Sequence, residues 1–482
     1  MKLTTLVKCA LGSGVGLVIV MVAQPSAASA SATVPCTQGA LVAAIKAAND
    51  AGGGTINLAS GCDYALTSAD NPGNGLPVVE TQIAVNGNGA TIDGTGTVRV
   101  LEVDGPSGSL SLQNVTITGG SADIGGGIEN AGGTLTLNHS QVTGNTATQA
   151  AGGIASATSG PSSVAKLTLN NSSVTRNSQT LGPEDEGALG GGGVVNVLGT
   201  VTLNGSQVSN NTAHGFVGGG IANGDYFGFS GTSSVLTLNN SQVNSNTADG
   251  NGGGIQNLLG TVTLNSSQVN GNTSLNGGGI ASGNGNGGIP PGTSHLVLSK
   301  SQVNGNTATA APGEGPPIAA GGIANGGDAV LNSSQVDNNT TSFTGGAGIV
   351  NHGTMTLNKS EVNGNTAAGT GLLASGGGII NAQGPPGAVG SAILTLNNSM
   401  VNNNTAGGVG GGIANGVPLP GGPIPIVGGP VTLNHSQVTG NTAARGGGIF
   451  NFGGTVALSA TSVTGNNPDN CAPPGTVPGC TG

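Results

Sequence analysis

The chain has 482 residues and a formal net charge of −10; only 6% of its residues are charged, whereas 96 are Gly and 23 Pro. This balance excludes nucleic-acid binding, which needs clustered positive charge, and disfavours anionic membrane surfaces. So much Gly and Pro without a period would mean low-complexity disorder. Here Leu, Ile and Val recur at fixed offsets, and the period overrides the composition.

Residues 1–32 read as a secretory signal. Lys2 and Lys8 form a positive start, Ala10 to Ala23 an apolar run, and Ala28-Ser29-Ala30 or Ala30-Ser31-Ala32 a small-residue cleavage site. The run is short for a membrane span of roughly 20 residues, and no second hydrophobic span follows. The mature chain is therefore expected outside the cell or on its surface, with no transmembrane span.

Residues 33–62 form an expected N-terminal cap. The segment Ala40 to Asp50 has helical spacing, with Leu41, Ile45 and Ala48 on one face, and Gly52-Gly53-Gly54 leads into a strand over Thr55 to Leu58. Residues 63–111 read as irregular early coils with Ile83, Val85, Ile92, Val98 and Leu101 inward.

From residue 112 to 467 one unit repeats: GGGI-x-N, a gap, then L-T-L-N-x-S-x-V-x-x-N-T-A. Aligned on the second apolar residue of L-T-L, twelve copies run from Leu112 to Leu458. The L-T-L step alternates apolar and polar, as a half-buried strand does. Valines such as Val142, Val174 and Val208 mark a second strand, and Ile128, Ile154 and Val194 a third. Three short strands with Gly and Asn corners make one coil of a parallel β-helix. Stacked supersecondary units of this kind form a solenoid, and twelve coils about 4.8 Å apart give a rod on the order of 60 Å long. Length variation enters only at corners, as in Gly416 to Pro430 and Thr309 to Ala320. Recurring asparagines such as Asn145, Asn211 and Asn246 can stack as amide ladders. Residues 468–482 are a proline-rich C-terminal cap.

Four cysteines follow the signal, and they allow three connectivities. The ends of a long solenoid are too far apart to bridge, so local pairing of Cys36 with Cys62 and Cys471 with Cys480 is expected. Export permits disulfides, and neither pair has zinc-type spacing.

With GGGI and V-x-x-N-T-A laid out, residues 112–467 resemble the polymorphic outer-membrane-protein repeat family, whose marks are a GGA-I/L/V step and an F-x-x-N step. The opening CTQGALVAAIKAANDAGGGTI is similar to the Cys-led helix that begins many exported β-helices. The resemblance, with the chirality of parallel crossovers, implies a right-handed, single-stranded, all-β parallel β-helix with an N-terminal capping helix. Val replaces Phe before x-x-N, and no C-terminal barrel follows. A freely secreted or wall-associated β-helix protein is the nearer relative.

Candidate chemistry is sparse. Cleavage of acidic polysaccharides needs clustered carboxylates, often with a cation, and Arg99 with Glu102 and Asp104 is the one mixed cluster; Asp93 lies nearby in sequence, and Glu184-Asp185-Glu186 share one insertion. His139 and His435 occupy equivalent positions nine repeats apart, too far to converge. No metal or cofactor motif occurs. An outward Thr column (Thr136, Thr168, Thr202, Thr237, Thr263, Thr356, Thr395, Thr432) and a Gln column beginning at Gln141 could face a glycan or ice. Tyr226, Phe227 and Phe229 cluster in one insertion as a candidate binding loop, although aromatics are only 2% of the chain, which weakens sugar stacking as a general mode. The expected role is structural, adhesive or matrix-interacting and non-enzymatic, with surface glycans or host or matrix proteins as partners. The alternative is a polysaccharide lyase or hydrolase using Arg99, Glu102 and Asp104, followed by an ice- or glycan-binding surface. The sequence sets no oligomeric state.

Overall fold

The computed structural model describes residues 33–481 except 161–162, 182–189, 216, 226–232, 284–293, 310–317, 343–344, 372–373, 384–391 and 419–425. The expected signal lies outside the described residues, as do Glu184, Asp185, Glu186, Tyr226, Phe227 and Phe229.

The regular coils share one plan. In one, Thr261–Asn265 and Gln268–Asn270 belong to a first, bent sheet, Thr273–Ser274 to a second, and Ile280–Ser282 to a third. Each pairs in parallel with its counterparts one coil before and after, so that Leu264 lies between Leu238 and Leu298. Alternation puts Val262, Leu264, Val269 and Ile280 into the bore, all 0% exposed. Burying such a side chain is worth roughly 1.5–3 kcal/mol. The chain is thus a parallel β-helix with three sheets.

Corners are made by conformation as much as by composition. The corner inside the first sheet is left-handed at a non-glycine residue in most coils, for example Ser266 with φ 49°. The corner before the third sheet opens with a left-handed glycine, Gly277 at φ 63°. Two residues on, a Cβ at Gly279 would lie 2.8 Å from Gly322 O and 2.9 Å from the Asn306 amide. That close approach is what reserves the position for glycine.

Polar ladders line both faces of the wall. Inside, Asn145 begins a stack of fully buried amides at the corner between the first and second sheets. Outside, Asn138, Asn170, Asn204, Asn239 and Asn265 bond side chain to side chain at 2.9–3.0 Å. Beside them Ser140, Ser172 and Ser206 are buried, each hydroxyl accepting the backbone N–H of the preceding coil's serine from Ser172 onward.

The third sheet departs from simple alternation. The residue after the inward Ile faces away from the bore, yet Ala222, Val350, Ile380 and Phe450 are all at most 2% exposed. Val350 and Ile380 share an apolar cluster with the insertion residues Ile318, Val417 and Ile426, whereas Ala222 packs with Val195 and Val217 and Phe450 with Val409 and Ala472. In the insertion after Asn415, Ile426–Val427 folds back antiparallel on Ile413–Val417. Described insertion residues thus pack on the outer face of the third sheet beside Val350 and Ile380.

Both ends are closed. Helix α1 (Gln38–Asp50) is capped by Thr37, whose hydroxyl accepts from Ala40 N at 3.3 Å, a standard way to satisfy a first-turn donor. It lays Leu41, Ile45 and Ala48 over the bore. Buried Tyr64 bonds Val34 O at 2.8 Å and accepts from Ala59 N at 3.0 Å, holding the entry strand in place. Disulfides join Cys36 to Cys62 and Cys471 to Cys480. At the far end Val477 is 3% exposed and plugs the apolar column. Among the described residues no helix is long and apolar enough to cross a membrane.

Candidate functional site

Arg99 and Glu102 meet within one coil at the start of the third sheet, and parallel stacking adds a residue that the sequence reading missed. The strand Leu101–Asp104 pairs with Ile128–Ala131, which sets Glu102 directly beside Glu129. Arg99 Nη1 meets Glu102 Oε2 at 3.1 Å and Arg99 Nη2 meets Glu129 Oε2 at 2.5 Å. One guanidinium therefore holds carboxylates from two coils. The signal for Glu129 was present in GGGIEN, but finding it required aligning Leu101 with Ile128, one coil before the regular repeat.

The remaining donors of Arg99 are also engaged. Its Nη1 donates to Asn74 Oδ1 at 2.7 Å, its Nη2 to Ile124 O at 3.0 Å, and its Nε to Ile124 O and Gly125 O, both at 3.3 Å. Asn74, 2% exposed, donates in turn to Glu102 Oε2 at 2.6 Å. Burial pushes the Glu129 carboxyl above its usual range; Arg99 pulls it back down, and the charges of Glu102 and Asp104 raise it further. Asp104 itself is exposed and forms no ion pair among the described residues. The cluster thus centres on Arg99, Glu102 and Glu129. It can cross-link coils; as chemistry, it offers a carboxyl of raised pKa beside a second carboxyl.

The other candidates do not converge on this cluster. Asp93 sits in the first sheet, where its Oδ1 accepts from Thr95 N at 2.8 Å and shapes a turn. His139 and His435 are exposed at left-handed corners, with φ 47° and 49°. His214 Nδ1 approaches Asp249 Oδ2 at 2.9 Å, and His295 Nδ1 approaches Asp328 Oδ2 at 3.7 Å. His352 Nδ1 meets Ala382 O at 2.8 Å, and burial lowers its pKa. Among the described residues no group of three or more His, Cys, Asp or Glu is placed to hold a metal ion. A cavity of about 390 Å³ lies under helix α1, where Lys46 Nζ pairs with Asp70 Oδ1 at 2.7 Å.

The polar columns are in register. Thr136, Thr168, Thr202, Thr237 and Thr263 stack consecutively, Val297 and Val330 interrupt them, and Thr356, Thr395 and Thr432 resume. The N-T-A step supplies a second Thr column on the second sheet, running through Thr212, Thr247, Thr273, Thr307, Thr340 and Thr366. Four coils also carry Thr two residues before the column member, as in Thr134, Thr200, Thr261 and Thr354, so the rank is doubled there rather than single. The Gln column stacks likewise, with Gln242, Gln268, Gln302 and Gln335 consecutive.

Comparison with family models, curated proteins and solved structures returns no match for this chain.

Proposed function

We propose that this is an exported, right-handed β-helix rod with a structural, adhesive or matrix-interacting role at or beyond the cell surface, and without catalysis of its own. The observation that carries the reading is the state of the Arg99 cluster. Its cation is fully engaged in bonds within the protein, whereas the long outer faces present repeated hydroxyls and amides. Surface glycans and matrix proteins are the partners that such a face suits. The likeness of GGGI-x-N and V-x-x-N-T-A to the polymorphic outer-membrane-protein repeat supports export and surface display. The signal-like residues 1–32 support the same localisation.

A second reading has one specific observation in its favour. Glu102 and Glu129 are neighbours across paired strands, and the raised pKa of Glu129 is the property a general acid needs in glycoside cleavage. Incubating the mature chain with a panel of acidic and neutral polysaccharides separates the two. No release of reducing ends or unsaturated products is expected, together with retention on cell-surface or matrix-coated supports. Turnover that disappears in Glu129→Gln or Asp104→Ala would establish the enzyme instead.

A further inference from the structure

Three consecutive coils place Lys300, Ser333 and Lys359 at the same left-handed corner of the first sheet, with φ of 52°, 49° and 51°. Elsewhere this corner carries residues such as His139, Asn171, Asn240 and Asn398. Both lysines are exposed, and neither is ion-paired among the described residues, unlike Lys46 and Arg99. Two coil steps separate them, roughly 10 Å at the spacing of paired strands. The short Ser333 between them leaves a notch of about 170 Å³, with Gln302, Gln335 and Glu361 along its other side.

The chemistry of the notch is specific in kind. Gln302 Nε2 donates to Gln335 Oε1 at 3.2 Å, which leaves Gln302 Oε1 as an acceptor and Gln335 Nε2 as a donor for a ligand. Glu361 keeps an acceptor oxygen in hand, because Asn363 Nδ2 bonds only its Oε2, at 3.2 Å. No apolar or aromatic side chain lines the space, so it does not suit an acyl chain or an apolar peptide. Its size falls below the roughly 300–1,000 Å³ of clefts that enclose a whole small molecule. A notch of this size on a straight wall seats one unit of an extended polymer. Two ammonium groups against one lining carboxylate make it locally positive on a chain of net charge −10. At physiological ionic strength, where charges are screened beyond about 8 Å, that local sign governs binding.

We propose that this notch binds one anionic residue of an extended acidic polysaccharide: its carboxylate or sulfate lies between Lys300 and Lys359, and its hydroxyls meet Gln302, Gln335 and Glu361. The inference deepens the adhesive reading, on which it rests, by giving that reading a ligand class and an address.

The test uses the mature chain over immobilised polygalacturonate, dextran sulfate and neutral dextran, with a matrix-protein surface alongside. Retention on one or both charged polymers and none on dextran is expected; which polymer is held identifies the anion. Lys300→Asn and Lys359→Asn introduce the residue that other coils already carry at this φ, so the fold is kept. Each should weaken binding on the order of tenfold at low salt, as loss of one charge-assisted contact does, and the double variant should abolish it. Equal binding by the wild type and the double variant, or equal retention on dextran, would overturn the proposal. A wild-type chain that ignores all three polymers yet adheres to the matrix-protein surface would also overturn it while leaving the adhesive reading standing.

Discussion

Two asparagine ladders run inside the same wall, and they differ in continuity. At the V-x-x-N corner, Asn145 through Asn466 stack without a gap, each side-chain amide donating to the Oδ1 of the next at 2.9–3.1 Å. In the third sheet the stack from Asn130 to Asn451 is interrupted by Ser156 and Ser282. The interruptions have a visible consequence. Asn196 Oδ1, next to Ser156, has no hydrogen-bond partner, and neither has Asn130 Oδ1, whose preceding neighbour is Val103. Ser156 Oγ accepts from Asn130 Nδ2 at 3.1 Å, on the side of the preceding coil, and supplies no amide donor to Asn196 Oδ1. Asn325, beyond Ser282, avoids this fate because its Oδ1 accepts from Gly327 N at 3.3 Å. A ladder therefore concentrates its penalty at its ends, and every interruption creates new ends.

The largest test breaks the continuous ladder in its middle. Asn272→Ala removes the acceptor of Asn246 N and Nδ2 and the donor to Val243 O and Asn306 Oδ1. Stranded buried polar groups of this kind make a loss of about 3 kcal/mol the expected outcome. Urea denaturation reads the loss, and amide exchange should place it in the coils on either side. Next in size is Arg99→Leu, at the start of the interrupted ladder, where Glu129 precedes its first rung, Asn130. Unpairing two half-buried carboxylates should cost about 2 kcal/mol near neutral pH. Without Arg99 the Glu129 pKa rises further, so its stability contribution is present below its ordinary value of 4.5 and is lost as pH rises through the folded one. The deficit should therefore shrink in acid, as thermal melts across pH will show.

A smaller effect should come from repair. Ser156→Asn supplies the donor that Asn196 Oδ1 lacks and is expected to stabilise by about 1 kcal/mol; Ser282→Asn should gain less, since Asn325 is already satisfied. The smallest concerns an outer stack in which Asn304, Asp337 and Asn363 follow one another through backbone donors at 2.9–3.0 Å. Burial raises the Asp337 pKa from 3.8 to about 6; the backbone bond from Asn363 opposes the rise and Glu361 adds to it. Stability is fully present below pH 3.8 and is lost as pH rises through about 6. Asp337→Asn should accordingly raise the melting temperature slightly above pH 6 and leave it unchanged near pH 3.8.

Leu264, Val269 and Ile280 were legible as core because each follows a local period that stacking repeats in every coil. The Cys36–Cys62 and Cys471–Cys480 pairs were legible for a geometric reason, the length of the rod. What escaped is non-local. Val350 and Ile380 looked outward by alternation and are buried because insertions return over them. Glu129 joined the Arg99 cluster only through the register of an early coil. The N-T-A threonines escaped as well, although their alternation with the inward Asn and Ala already faced them outward.

The outer ladder also limits which cells can make this protein. Asn138-His139-Ser140, Asn170-Asn171-Ser172 and Asn358-Lys359-Ser360 each match the acceptor pattern for N-linked glycosylation. In the folded chain Asn170 and Asn358 donate their amide N–H along the stack, and Ser140, Ser172 and Ser360 are buried. A sugar on any of these asparagines would remove a rung and collide with the next coil. A secretory route that modifies such sites before folding would thus treat the wall of the helix as a row of attachment points. Production in a glycosylating host should yield misassembled chains, rescued by blocking the modification, whereas a non-glycosylating host leaves the stack intact.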